Sequence, residues 1–159
     1  MTERRIERDD PRAPDVRALL ERHLEFCHQH TAPQDVYALD VDALLDPGVS
    51  FFSCREDGAL LGVGALKRLD QRHAEIKSMH TAREARGRGV ARELVAFLVD
   101  RARSQGFERI SLETGSMAAF APARALYASA GFEPCERFAD YPDSPTSAFM
   151  TLDLGLARS

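Results

Sequence analysis

The stretch Arg86-Gly87-Arg88-Gly89-Val90-Ala91-Arg92 joins two different periodicities. Residues 75–81 before it alternate like a strand, and residues 89–105 after it repeat like a helix. Two glycines at such a junction let backbone N–H groups approach a ligand with no Cβ in the way. The first helical turn adds unpaired N–H donors and the positive end of a helix dipole. The product is an anion cradle suited to a phosphate or pyrophosphate. Three arginines in these seven residues add mobile positive charge.

Spacing chooses among phosphate-binding motifs. A Walker loop needs Gly-x-x-x-x-Gly-Lys-Ser/Thr, and the chain has no such string. A dinucleotide fingerprint needs a third glycine or alanine where Arg92 stands. Arg/Gln-x-x-Gly-x-Gly/Ala does fit, on Arg86, Gly89 and Ala91.

The rest of the chain supplies a context for this loop. A first strand is expected over 4–8, and a helix over 11–30 with Asp10 as its cap. A short helix follows over 40–45. Strands are expected over 49–55, 59–69 and 72–81, with Asp57-Gly58 as a hairpin turn. Gly62 and Gly64 suggest a bulge or a close backbone approach in the second of them. Alternation in the third puts Glu75, Lys77, Met79 and Thr81 on one face and Ile76, Ser78 and His80 on the other. After the loop come a helix with Ala91, Leu94, Val95, Leu98 and Ala102 on one side, a strand over 109–114, and a helix over 122–130. Strands over 132–138 and 147–154 complete the chain. Strand, loop, helix, strand is a crossover unit, so the strands on either side of it are expected to be parallel neighbours.

This order, with its local strings, resembles the GNAT superfamily of acetyl-CoA-dependent N-acetyltransferases over essentially the whole chain. The loop is one match. The second is Ala125-Leu126-Tyr127 followed by Gly131-Phe132. The third is Glu75, eleven positions before Arg86, where many family members carry a glutamate base. One departure is Phe120, which stands where many members have an asparagine. The resemblance implies one domain over residues 1–159 of α/β (α+β) class. Its mixed sheet would have six to seven strands, splayed between the fourth and fifth and flanked by about four helices.

It also implies an enzyme: an N-acetyltransferase moving an acetyl group from acetyl-CoA to a primary amine of a small molecule, by direct transfer in a ternary complex. Arg86, Gly87, Arg88, Gly89, Val90, Ala91 and Arg92 would hold the pyrophosphate. The backbone of Met79, His80 and Thr81 would pair with the pantetheine arm as an added strand. Glu75 would be the general base and Tyr127 the acid that meets the departing thiolate. Lys77, Glu113, His28 and Tyr37 are candidates for the acceptor site. Glu75 has an alternative reading as an ion-pair partner of Lys77 or an arginine. A protein or peptide amine as acceptor, or a non-catalytic acyl-CoA sensor, also stays open at this point. A homodimer is compatible with the resemblance.

Composition narrows the rest. Among 159 residues, 44% are hydrophobic and 29% charged, the balance of a soluble globular protein. A net charge of −4 argues against nucleic acid as the partner. No apolar run reaches membrane-spanning length, and the N-terminus leads into charge, so a cytoplasmic protein is expected. Three cysteines without paired spacing fit reduced thiols. No metal is expected, because helical periodicity puts Cys27 in the core rather than beside His23 as a ligand.

Overall fold

The computed structural model describes residues 3–30, 41–139, 141–142 and 144–155; of His28 and His30 it describes the backbone alone. The strands are β1 (Arg4–Arg8), β2 (Val49–Glu56), β3 (Ala59–Arg68), β4 (His73–Thr81), β5 (Arg109–Gly115), β6 (Glu133–Pro134) and β7 (Ser147–Asp153). The α-helices are α1 (Pro14–His30), α2 (Val41–Leu44), α3 (Val90–Ser104) and α4 (Ala121–Ser129). Among the described residues the strands form one seven-stranded sheet in the order β1-β2-β3-β4-β5-β7-β6. The β4–β5 pair is parallel, as the crossover through α3 requires, and the other pairs are antiparallel.

Two cores cover the two faces. Neighbours on a strand point to opposite sides, and Phe51 and Phe52 show the division. Phe51 packs with Val63 and Ala65 under Val16, Leu19 and Leu20 of α1. Phe52 packs with Leu66, Ile76, Ile110 and Leu112 under Val95, Leu98 and Ala102 of α3 and Tyr127 of α4. Leu98 and Ile110 are fully buried, each contributing about 1.5–3 kcal/mol relative to exposure. Val90, rather than Ala91, joins the buried stripe of α3.

Three local features differ from the sequence expectation. Helix α1 starts at Pro14, with proline in its first turn. Asp10 instead accepts from the backbone N–H and guanidinium of Arg12, closing a turn ahead of the helix. The strand expected over 132–138 contracts to Glu133–Pro134. Proline brings no N–H to extend a ladder, and Phe138 turns onto His73, Tyr141 and Phe149.

The third difference shapes the site. The register between β3 and β4 shifts between Val63↔His80 and Ala65↔Lys77, so Ser78 and Met79 together oppose Gly64. Ser78 has φ 56°, a bulged residue in the left-handed region. One inserted residue exchanges the faces beyond it. Met79 therefore drops beside Leu98 on the α3 side. His80 turns to the α1 side, its ring 4.8 Å from that of His23. The expected grouping of Met79 with Glu75 and Lys77 fails for this reason.

Candidate active site

The parallel pairing of β4 and β5 runs from His73↔Arg109 to Ile76↔Leu112 and ends there. Beyond it the bulge redirects β4, while β5 stays paired with β7 as far as Gly115↔Ser147. Arg124 of α4 fixes the end of β5, donating to the carbonyls of Gly115 at 2.5 Å and Met117 at 3.0 Å. Among the described residues, the β4 edge from Lys77 to Thr81 is thus left without a strand on its β5 side. A cavity of about 840 Å³ occupies the gap.

One end of this cavity is the cradle. Gly87 and Gly89 have φ of 78° and 80°, and Gly89 caps α3. Open space surrounds the position of a Cβ at both, so backbone conformation, not crowding, calls for glycine. Arg86, Gly87, Gly89, Val90, Ala91 and Arg92 line the cavity. Arg88 does not. Its guanidinium pairs with Glu56 at 2.5 Å, and its carbonyl accepts from Arg4 at 2.9 Å. Arg4 also reaches Glu93 at 2.8 Å, tying β1 to the loop and the first turn of α3. These buttresses are guanidinium contacts to two carboxylates and one backbone carbonyl, between residues far apart in sequence, which no local pattern announces.

Glu75 lies deeper, 2% exposed. Its Oε2 accepts from the Tyr141 hydroxyl at 2.5 Å and lies 3.5 Å from Lys77 Nζ. Lys77 Nζ in turn donates to the Tyr141 oxygen at 2.6 Å. Burial holds the Lys77 ammonium below its ordinary pKa, and the nearby Glu75 opposes that shift. All three side chains line the cavity. No local sequence pattern marks Tyr141 as part of the site.

Tyr127 is buried in the same wall, and burial pushes its hydroxyl well above the usual phenol range. Phe132 of the Gly131-Phe132 pair meets its ring edge-on at 5.8 Å. Among the described residues the Tyr127 hydroxyl has no hydrogen-bond partner. Phe120 stands edge-on to Phe26 at 5.3 Å and fills the space over Gly115. An aromatic wall therefore replaces a hydrogen-bonding side chain there. Glu113, Cys27, His23, His80 and Thr81 also face the cavity. Burial and the neighbouring Glu113 raise the Cys27 thiol to about 11, which keeps it protonated. Tyr37 and the side chain of His28 lie outside the described residues.

Residues 13–132 match the model of the acetyltransferase (GNAT) family. The chain belongs to that family. Its class is acetyl-CoA-dependent acyltransferase. It is 45% identical to the uncharacterised N-acetyltransferase YsnE of Bacillus subtilis, over 94% of this chain and 99% of that one. Among solved structures, a candidate acyl-CoA N-acyltransferase of Klebsiella pneumoniae superposes with a TM-score of 0.81 at 26% identity, covering 95% and 97% of the two chains. A GNAT acetyltransferase of Elizabethkingia anophelis with acetyl-CoA bound superposes with a TM-score of 0.69 at 16% identity, covering 94% and 97%. Within the GNAT fold the splay between the fourth and fifth strands has a local cause in this chain, the bulge at Ser78.

Proposed function

We propose that this chain transfers an acetyl group from acetyl-CoA to a primary amine of a small molecule, by direct attack in a ternary complex, in the cytoplasm. The observation that carries the reading is one continuous cavity. Its wall holds the glycine–arginine cradle, an unpaired strand edge, Glu75 and a Tyr127 hydroxyl without a partner.

Acetyl-CoA would supply the activated acyl group, and the residues of the chain fit it in three ways. The first-turn N–H groups of α3, with Arg86 and Arg92, match a pyrophosphate. The free edge from Lys77 to Thr81 offers backbone donors and acceptors to a peptide-like arm. A backbone N–H near Met79 suits a developing oxyanion. Glu75 takes the proton that an acceptor ammonium must lose before its nitrogen attacks. Tyr127 returns a proton to the departing thiolate. Its raised pKa keeps that proton on the hydroxyl at neutral pH.

Tyr141, Phe120 and Phe26 line the cavity and offer aromatic walls to a small acceptor. The test is thiol release with a panel of amino acids, polyamines and aminoglycosides beside lysine-bearing and N-terminal peptides. Saturable turnover on one of the small amines is expected. Turnover on peptides alone would move the acceptor to a protein. Tight coenzyme A binding with no turnover on any amine would leave a sensor.

A further inference from the structure

The Glu75–Lys77 pair cannot hold itself. Its atoms stand 3.5 Å apart, at the limit of a hydrogen bond, and the side chains are 2% and 9% exposed. A buried ion pair survives desolvation only when further hydrogen bonds satisfy both partners. The Tyr141 hydroxyl provides one to each, accepting from Lys77 at 2.6 Å and donating to Glu75 at 2.5 Å. A single hydroxyl can do both at once.

The ring that carries it is fixed independently. Tyr141 meets Phe138 edge-on at 5.3 Å and Phe149 of β7 at 5.6 Å. Phe138 and Phe149 meet each other at 5.7 Å. Phe149 pairs across the ladder with Glu113. A loop residue is thus pinned by its ring to the rigid sheet, with its hydroxyl in the ion pair. Among the described residues, both contacts of the Glu75 carboxylate go to Oε2, and Oε1 accepts no hydrogen bond.

We propose that Tyr141 is a positioning residue for acetyl transfer: its hydroxyl keeps Glu75 and Lys77 as a charged pair, so that Glu75 meets the acceptor amine as a carboxylate. The proposal rests on Glu75 being the base. With the hydroxyl gone, a proton can pass from the Lys77 ammonium to the Glu75 carboxylate. That leaves a neutral amine at Lys77 and a neutral acid at Glu75, and Glu75 no longer takes the acceptor's proton. Among the described residues, Lys67 on β3 and Glu113 on β5 also act on Lys77, and His73 on β4 feels the Glu75 charge. None of these three makes a hydrogen bond to Glu75 or Lys77, so none replaces the bridge.

Tyr141→Phe removes the hydroxyl and keeps the ring in its aromatic contacts. The Glu75 carboxyl is followed by carbon NMR across pH, assigned by its disappearance in Glu75→Gln, beside kcat over the same range. The expected result is a titration midpoint raised by about one unit and an acid limb of kcat raised equally. On the acid limb, well below both midpoints, that is about a tenfold loss. Phe138→Leu loosens the ring but keeps the hydroxyl, and is expected to shift the midpoint less, in the same direction. An unmoved midpoint in Tyr141→Phe overturns the positioning role and leaves Glu75 as base. A moved midpoint with an unmoved acid limb removes Glu75 as the base, and the catalytic role of Tyr141 falls with it.

Discussion

Met79 Sδ lies 2.6 Å from the point where a Cβ on Gly64 would stand, with Leu98 Cδ1 at 3.2 Å from the same point. The bulge on β4 thus depends on an absent side chain on β3. Gly64→Ala must displace the thioether, and with it the strand segment that lines the cavity. Overpacking of this kind costs about 1–2 kcal/mol, so a melting temperature lower by about 3–6 °C is expected. The KM for acetyl-CoA is expected to rise more than kcat falls. Calorimetry and initial-rate kinetics check the two parts.

Ser78 bears the strain of the same bulge. Its φ is 56°, and its buried hydroxyl has no partner. Glycine takes that backbone at no steric cost and removes the stranded hydroxyl, against about 0.5–1 kcal/mol of added chain entropy. Ser78→Gly is expected to gain about 1 kcal/mol in urea unfolding. Ser78→Val, β-branched at positive φ, is expected to lose more than that.

The bulge also marks where sequence reading stops. Strict alternation has no symbol for an inserted residue, so it put Met79 beside Glu75. Gly62 and Gly64 hinted at an irregularity without fixing its place on the partner strand. The glycine turn into α3 was legible because its residues are consecutive. The parallel β4–β5 pair was legible because the crossover has one hand. Tyr141 was not, since it joins residues 66 and 64 positions away. Arg4 and Glu56 were hidden for the same reason, tied to Arg88 across 84 and 32 positions.

Tyr127→Phe removes one hydroxyl from the cavity wall and leaves the edge-on packing with Phe132. A kcat lower by about 10²-fold is expected, in the range of a lost general acid. Affinity for acetyl-CoA is expected to stay nearly constant, because the ring and not the oxygen supplies the packing. Burial holds the phenol above its usual range, so wild type should show no alkaline loss from this group up to about pH 10. Titration calorimetry and a pH–rate profile read both quantities.

His23 and His80 set the acid side of stability. Burial lowers His23 from 6.5 to about 4. Burial first, then His23, Arg86 and Arg22, lowers His80 to about 3. Both imidazoles are neutral in the folded chain, and their rings lie 4.8 Å apart. The unfolded chain takes up their protons near pH 6.5, and the folded chain does not. Their stabilisation is therefore full above pH 6.5 and declines as pH falls toward 4 and then 3. Each group adds a slope of up to about 1.4 kcal/mol per pH unit in that window. His80→Gln removes one titrating ring. Unfolding free energy measured between pH 7 and pH 4.5 is expected to fall less steeply in the variant, by about 1 kcal/mol per unit. Equal slopes would mean that the folded chain protonates His80 as readily as the unfolded one.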